Sequence, residues 1–169
     1  MADMTLDELL AKDEIREVLH DYCRSMDRLD RDLCVSVFHP EAELFYEGTF
    51  TGTAGQFFDW LYERHRTVKA CSHQLTSTRI QVDGDRAVSE TYGTIAIQSE
   101  VEDGWVEERT TRGRYLDTWS RRDGRWAIEH RHHVCDARST HRVPVATTDI
   151  TALGARRDRT DPSYELLGR

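Results

Sequence analysis

The sequence predicts an α+β domain in which N-terminal helices pack on a curved antiparallel β-sheet. Three observations carry that expectation. Apolar residues recur at helical spacing between Leu6 and Met26, the second half is rich in Thr, Val, Ile, Tyr and Trp, and Asp-Gly pairs punctuate that half at hairpin distances. Helices first and a run of strands afterwards place the helices on one face of the sheet.

Ile15, Val18, Leu19, Tyr22 and Met26 form one stripe, the mark of a long amphipathic helix. Thr5 with Glu8 three residues on matches a reciprocal capping box at its start. A short helix is expected from Arg31 to Phe38, stopped by Pro40, and residues 41–50 alternate like a strand. Thr51-Gly52-Thr53 leads into a further helix carrying Phe57, Phe58, Trp60 and Leu61. Strands are expected over 74–82, 86–101, 106–121 and 125–134, broken at Asp83-Gly84-Asp85, Asp103-Gly104 and Asp123-Gly124. After Asp136 the periodicity fades, so the expected division is a domain over 1–136 and a C-terminal arm or tail over 137–169.

A length of 169 residues suits one domain with its own core. The net charge of −8 argues against nucleic acid or an anionic membrane as partner, since both require a basic face. No apolar run reaches the roughly 20 residues of a membrane span, and the acidic start Met1-Ala2-Asp3-Met4 does not resemble a signal peptide. A cytoplasmic protein is the expectation. Cys23, Cys34, Cys71 and Cys135 are widely spaced without a Cys-x-x-Cys pair and are expected as free thiols.

There is no Gly-x-Ser-x-Gly elbow and no glycine-rich phosphate loop. His130, His132 and His133, with Cys71, His73 and Cys135, match no zinc ligand spacing, so neither metal nor other cofactor is expected. Taken alone, Asp27 reads either as an exposed carboxylate beside Asp30 and Asp32 or as the border of a cavity flanking the apolar stripe. His73 is one of eight histidines.

The run Ile15-Arg16-Glu17-Val18-Leu19-His20-Asp21-Tyr22-Cys23-Arg24-Ser25-Met26-Asp27 resembles the first helix of SnoaL-like proteins in the NTF2-like superfamily. So do Cys71-Ser72-His73-Gln74, Val82-Asp83-Gly84-Asp85-Arg86-Ala87 and Arg121-Arg122-Asp123-Gly124-Arg125-Trp126. Scytalone dehydratase, hexachlorocyclohexane dehydrochlorinase and bile-acid 7α-dehydratase are the enzymes of this type to which the run is similar. The resemblance implies an NTF2-like cone and a cofactor-independent lyase acting on an aromatic or polycyclic small molecule. In that reading His73 is the general base and Asp27 orients it, a task suited to an imidazole that titrates near neutrality. It further implies Tyr22, Tyr46 and Arg131 as substrate-binding residues, each of which also reads as plain core or strand surface. It implies a homo-oligomer as well, a trimer ahead of a dimer.

Two departures stand out. Met26 precedes Asp27 where scytalone dehydratase has a tyrosine, and no histidine occurs in Thr110-Thr111-Arg112-Gly113-Arg114-Tyr115 to match that enzyme's second one. Isomerase or polyketide cyclase chemistry by the same dyad, and a non-catalytic binding or assembly module, remain as alternatives.

Overall fold

The computed structural model describes residues 4–102, 104–145 and 154–168. Helix α1 runs over Leu6–Arg28, α2 over Arg31–Ser36 and α3 over Ala54–Arg64, with strands β1 (Phe38–Tyr46) and β2 (Phe50–Thr53) between α2 and α3. Strands β3 (Val68–Asp83), β4 (Arg86–Glu102), β5 (Trp105–Arg122) and β6 (Arg125–Pro144) follow, and a short α4 spans Pro162–Leu167. The expected α+β class is observed.

Local chemistry explains the helix boundaries. Thr5 and Glu8 form the capping box of α1, and Thr53 with Gln56 forms a second one on α3. The first helix stops at Leu29, whose φ of 52° is left-handed, and Asp30 at once caps α2 by accepting from the Leu33 N–H at 3.1 Å. Asp27 is thereby fixed in the last turn of α1.

The six strands form one sheet in the order β2-β1-β6-β5-β4-β3. Its long hairpins turn where the sequence places them, and Asp123-Gly124 adopts positive φ at both residues, 52° and 76°, which suits a two-residue hairpin loop. Three features differ from the sequence expectation. The segment 41–50 is two strands joined by a tight turn, because Glu47–Thr49 bends back to pair Tyr46 with Phe50. Strand β1 pairs with β6 in parallel, the one exception to an otherwise antiparallel sheet among the described strands. Strand β6 continues past Asp136 to Pro144, held in register opposite Trp105–Arg112, although both its faces are polar there.

Residues 154–168 dock on their own chain at the C-terminal end of α1. Arg28 pairs with Asp161 at 3.2 Å, Tyr164 donates to Asp30 at 2.9 Å, and Arg24 stacks on the Tyr164 ring. Leu166 and Leu167 remain exposed. No helix of the described residues is long and apolar enough to cross a membrane. The four cysteines are unbonded.

The core joins Ile15, Leu19, Tyr22 and Met26 of α1 and Phe57, Phe58 and Leu61 of α3 to Tyr115, Trp119, Trp126 and Ile128 of the sheet. In its middle lies a fully buried ion pair. Arg131 donates twice to Asp117, both contacts at 2.8 Å, and both side chains are 0% exposed. Its guanidinium lies 4.1 Å from the Tyr22 ring centroid and 4.3 Å from that of Tyr115. Removing one partner leaves the other charge buried and uncompensated. Asp117→Ala should therefore cost about 3–5 kcal/mol of stability in urea unfolding, and a loss under about 1 kcal/mol would contradict this placement.

Candidate functional site

Between α1, α3 and the concave sheet face lies a cavity of about 320 Å³. The helices line it with Tyr22 and Met26 from α1 and Phe57, Trp60, Leu61 and Arg64 from α3. The sheet contributes residues an even number of positions apart along each strand, as the pleat requires: Ile95 and Ile97, then Arg109, Thr111 and Tyr115.

His73 stands on β3 with its side chain facing this space and only 6% exposed. Asp27 stands behind it. One carboxylate oxygen of Asp27 lies 2.7 Å from His73 Nδ1, and the other accepts the His73 backbone N–H at 3.0 Å. An ionised carboxylate only accepts, so the bond places the ring proton on Nδ1 and leaves Nε2 as a bare lone pair. The structure brings together the two residues that the sequence singles out.

Cys71 Sγ lies 3.8 Å from the same Nδ1. Asp27, Cys71 and His73 bring their donor atoms within 4.8 Å of one another, a set that could hold a cation. Burial pushes the Cys71 thiol up and keeps it protonated, and both Asp27 oxygens are already engaged, so metal would have to break the dyad to bind. His130 and His132 face outward toward Glu43 and Glu47, away from His73.

Tyr22 and Tyr46 both line the cavity, their hydroxyls 2.8 Å apart. Burial raises both phenols, Tyr46 to about 12, so each is a protonated hydrogen-bond donor at neutral pH. Arg131, expected from the sequence at the substrate, lies behind Tyr22 and Tyr115 and does not line the cavity, because Asp117 holds its fork inward. A guanidinium there acts on the tyrosines.

Two further imidazoles reach the cavity. His133, beside Arg131 on the inward face of β6, stacks on Tyr46 with ring centroids 5.1 Å apart. Its Nε2 is buried without a hydrogen-bond partner. The ring fits because Gly113, diagonal to it on β5, has no side chain; a Cβ there would sit 3.0 Å from that nitrogen and collide with the Val134 carbonyl oxygen. His65 accepts from Arg157 at 2.9 Å, and Arg157 also donates to the carbonyls of Met26 and Asp27 at 3.3 and 3.4 Å, capping the end of α1 behind the dyad. Burial first, then the charge of Arg131, lowers His133 to about 4; burial and Arg157 lower His65 to about 3.

Sequence reasoning weighed His133 as a metal ligand and missed it as a wall residue of the cavity, although that place follows from Arg131 by the two-residue period of a strand. It also missed Arg64, Arg109 and Arg138, the last of which joins the wall from the far part of β6.

The histidine shifts have a consequence for stability. Above the unfolded value of about 6.5 both states hold a neutral His133. As pH falls from there to about 4, the unfolded chain takes up a proton that folded His133 refuses, so stability drops across that window. His133→Gln should lose stability less steeply than wild type between these limits in urea titrations at stepped pH; parallel slopes would count against a neutral buried His133.

A family model described as a SnoaL-like domain matches residues 7–132. Among solved structures, the fold is similar to a scytalone dehydratase-like protein from Novosphingobium aromaticivorans, at 20% identity and TM-score 0.73, over 83% of this chain and 93% of that one. It is similar also to a type 3 hexachlorocyclohexane dehydrochlorinase from Novosphingobium barchaimii, at 19% identity and TM-score 0.67, over 80% and 93%. A protein of unknown function from Mycobacterium tuberculosis matches at 21% identity and TM-score 0.64, over 80% and 78%. No functionally curated protein matches the sequence.

Proposed function

This chain belongs to the SnoaL-like domain family, and from that premise we propose that it is a cofactor-independent lyase for an aromatic or polycyclic small molecule. The observation that carries the reading is the 2.7 Å Asp27–His73 contact at the wall of the cavity. Dehydratase-like and dehydrochlorinase neighbours of the same fold support elimination as the reaction class.

In the proposed cycle His73 Nε2 takes a proton from a substrate carbon. Asp27 keeps Nδ1 protonated and stabilises the imidazolium that forms. Electrons from the broken C–H bond form the new double bond as hydroxide or halide departs from the neighbouring carbon. Tyr22 or Tyr46, joined through their hydroxyls, donates a hydrogen bond to the leaving group. Arg131, held by Asp117, places its charge against the Tyr22 ring and favours a build-up of negative charge on that phenol. The proton returns from His73 to solvent or to the released group. Isomerisation or ring closure would use the same proton transfer without loss of a fragment. For assembly we propose a homo-oligomer, a trimer ahead of a dimer, to which the outward-facing and exposed Phe45, Val88 and Tyr92 lend support.

The test is incubation with hydroxylated ring ketones and halogenated cyclohexanes, with mass spectrometry for loss of water or hydrogen halide. On any substrate turned over, His73→Ala should reduce the rate by about 10²–10⁴. Asp27→Asn should also lower kcat strongly, and the double variant should lose much less than the two separate losses combined. Turnover unaffected by His73→Ala would sink the lyase reading.

A further inference from the structure

The cavity carries a charge pattern opposite to that of the whole molecule. The chain has a net charge of −8, yet the cavity wall holds Arg64, Arg109 and Arg138 and no Asp or Glu. Many arginines elsewhere meet carboxylates, among them Arg28 with Asp161, Arg86 with Glu129, Arg114 with Asp136 and Arg131 with Asp117, while Arg125 and Arg157 meet backbone carbonyls. Among the described residues the three cavity arginines have no such partner. Arg64 lies over the Trp60 ring at 4.6 Å, and Arg138 makes only a long contact of 3.4 Å to the Thr111 hydroxyl. Half-buried Arg109 has no carboxylate of the described residues within ion-pair reach. Arg64 and Arg138 keep contact with solvent, half-buried Arg109 is partly desolvated without an anion, and the planar guanidinium fork fits a carboxylate in two-bond geometry.

We infer that the substrate carries an organic acid group, a carboxylate, which Arg109 and Arg138 hold while Arg64 covers it from α3. This rests on the cavity being the reaction site proposed above, and it adds the chemical class of substrate.

Register gives the site its dimensions. His73, Ile95, Thr111 and Arg138 lie opposite one another in a single row across β3, β4, β5 and β6. Three strand spacings separate the backbones of His73 and Arg138, about 14 Å at the usual inter-strand distance. Both long side chains shorten that span, which leaves room for one or two fused rings between base and acid group. Arg109 lies opposite Thr140, diagonal to Arg138 on the same face, so the two guanidinium groups can share one anion. Trp60, Phe57 and Tyr46 supply flat apolar walls for the rings. The unpartnered Nε2 of buried His133 is a further polar group in the same space.

The experiment compares two probes of one shape, naphthalene-2-carboxylate and naphthalene-2-carboxamide, by calorimetry on the full chain. The acid should bind about tenfold tighter or better, equivalent to one or more charge-assisted hydrogen bonds. The preference should weaken with added salt and vanish in the Arg109→Gln/Arg138→Gln variant, whose fold is checked by thermal melting. Should that variant fail to fold, Arg138→Gln, at an exposed side chain, should still cut the preference. His73→Ala should leave it intact. Equal binding of the two probes, no binding of the acid, or a preference that survives loss of both arginines would overturn the inference. Each of those results leaves turnover through His73 untouched as a separate question. Conversely, acid preference with His73-independent turnover would remove the lyase reading and keep the acid site.

Discussion

The site depends on one carboxylate that bridges two elements. Asp27 sits in the last turn of α1, where the helix dipole disfavours a negative charge. It is held there by the ring and the backbone N–H of His73 on β3, at 2.7 and 3.0 Å. The same pair of bonds therefore fixes the height of the helix over the sheet, the tautomer of the histidine and the direction of its free nitrogen. Arg157 adds a cation at the helix end by capping the Met26 and Asp27 carbonyls, so the C-terminal segment reinforces the arrangement from behind.

A second buried charge, that of Arg131, organises the opposite wall. Asp117 neutralises it, and the rings of Tyr22, Tyr115 and Phe38 surround it at 4.1 to 5.6 Å. Its field acts against protonation of His133 and works against the upward push of burial on the tyrosines. One carboxylate at the cavity wall and one ion pair beneath it thus surround the cavity's phenols and imidazoles with fixed charge.

Local signals made much of this legible in the sequence. The stripe from Ile15 to Met26 and the Thr5–Glu8 box are contained within one helix, and the Asp-Gly turns lie within single hairpins, so short-range patterning was sufficient for them. Asp27 and His73 were found through resemblance, because nothing local marks one aspartate and one histidine 46 positions apart as partners. The parallel pairing of β1 with β6 joins distant segments through backbone bonds alone, which side-chain periodicity does not encode. The extension of β6 to Pro144 was hidden for a related reason: its faces are polar, and its pairing with β5 holds it. Arg109 and Arg138 look like surface residues until strand curvature turns them toward the same space.

The proposed chemistry needs Asp27 to hold His73 with its proton on Nδ1 and Nε2 bare toward the cavity. Long-range ¹H–¹⁵N correlation NMR of ¹⁵N-histidine-labelled protein reads that state without any substrate. The expected result is an Nδ1–H tautomer of the uncharged His73 ring, with a strongly deshielded Nδ1 proton that is lost in Asp27→Asn. An Nε2–H tautomer, or a ring in fast exchange between tautomers that Asp27→Asn does not alter, would contradict it.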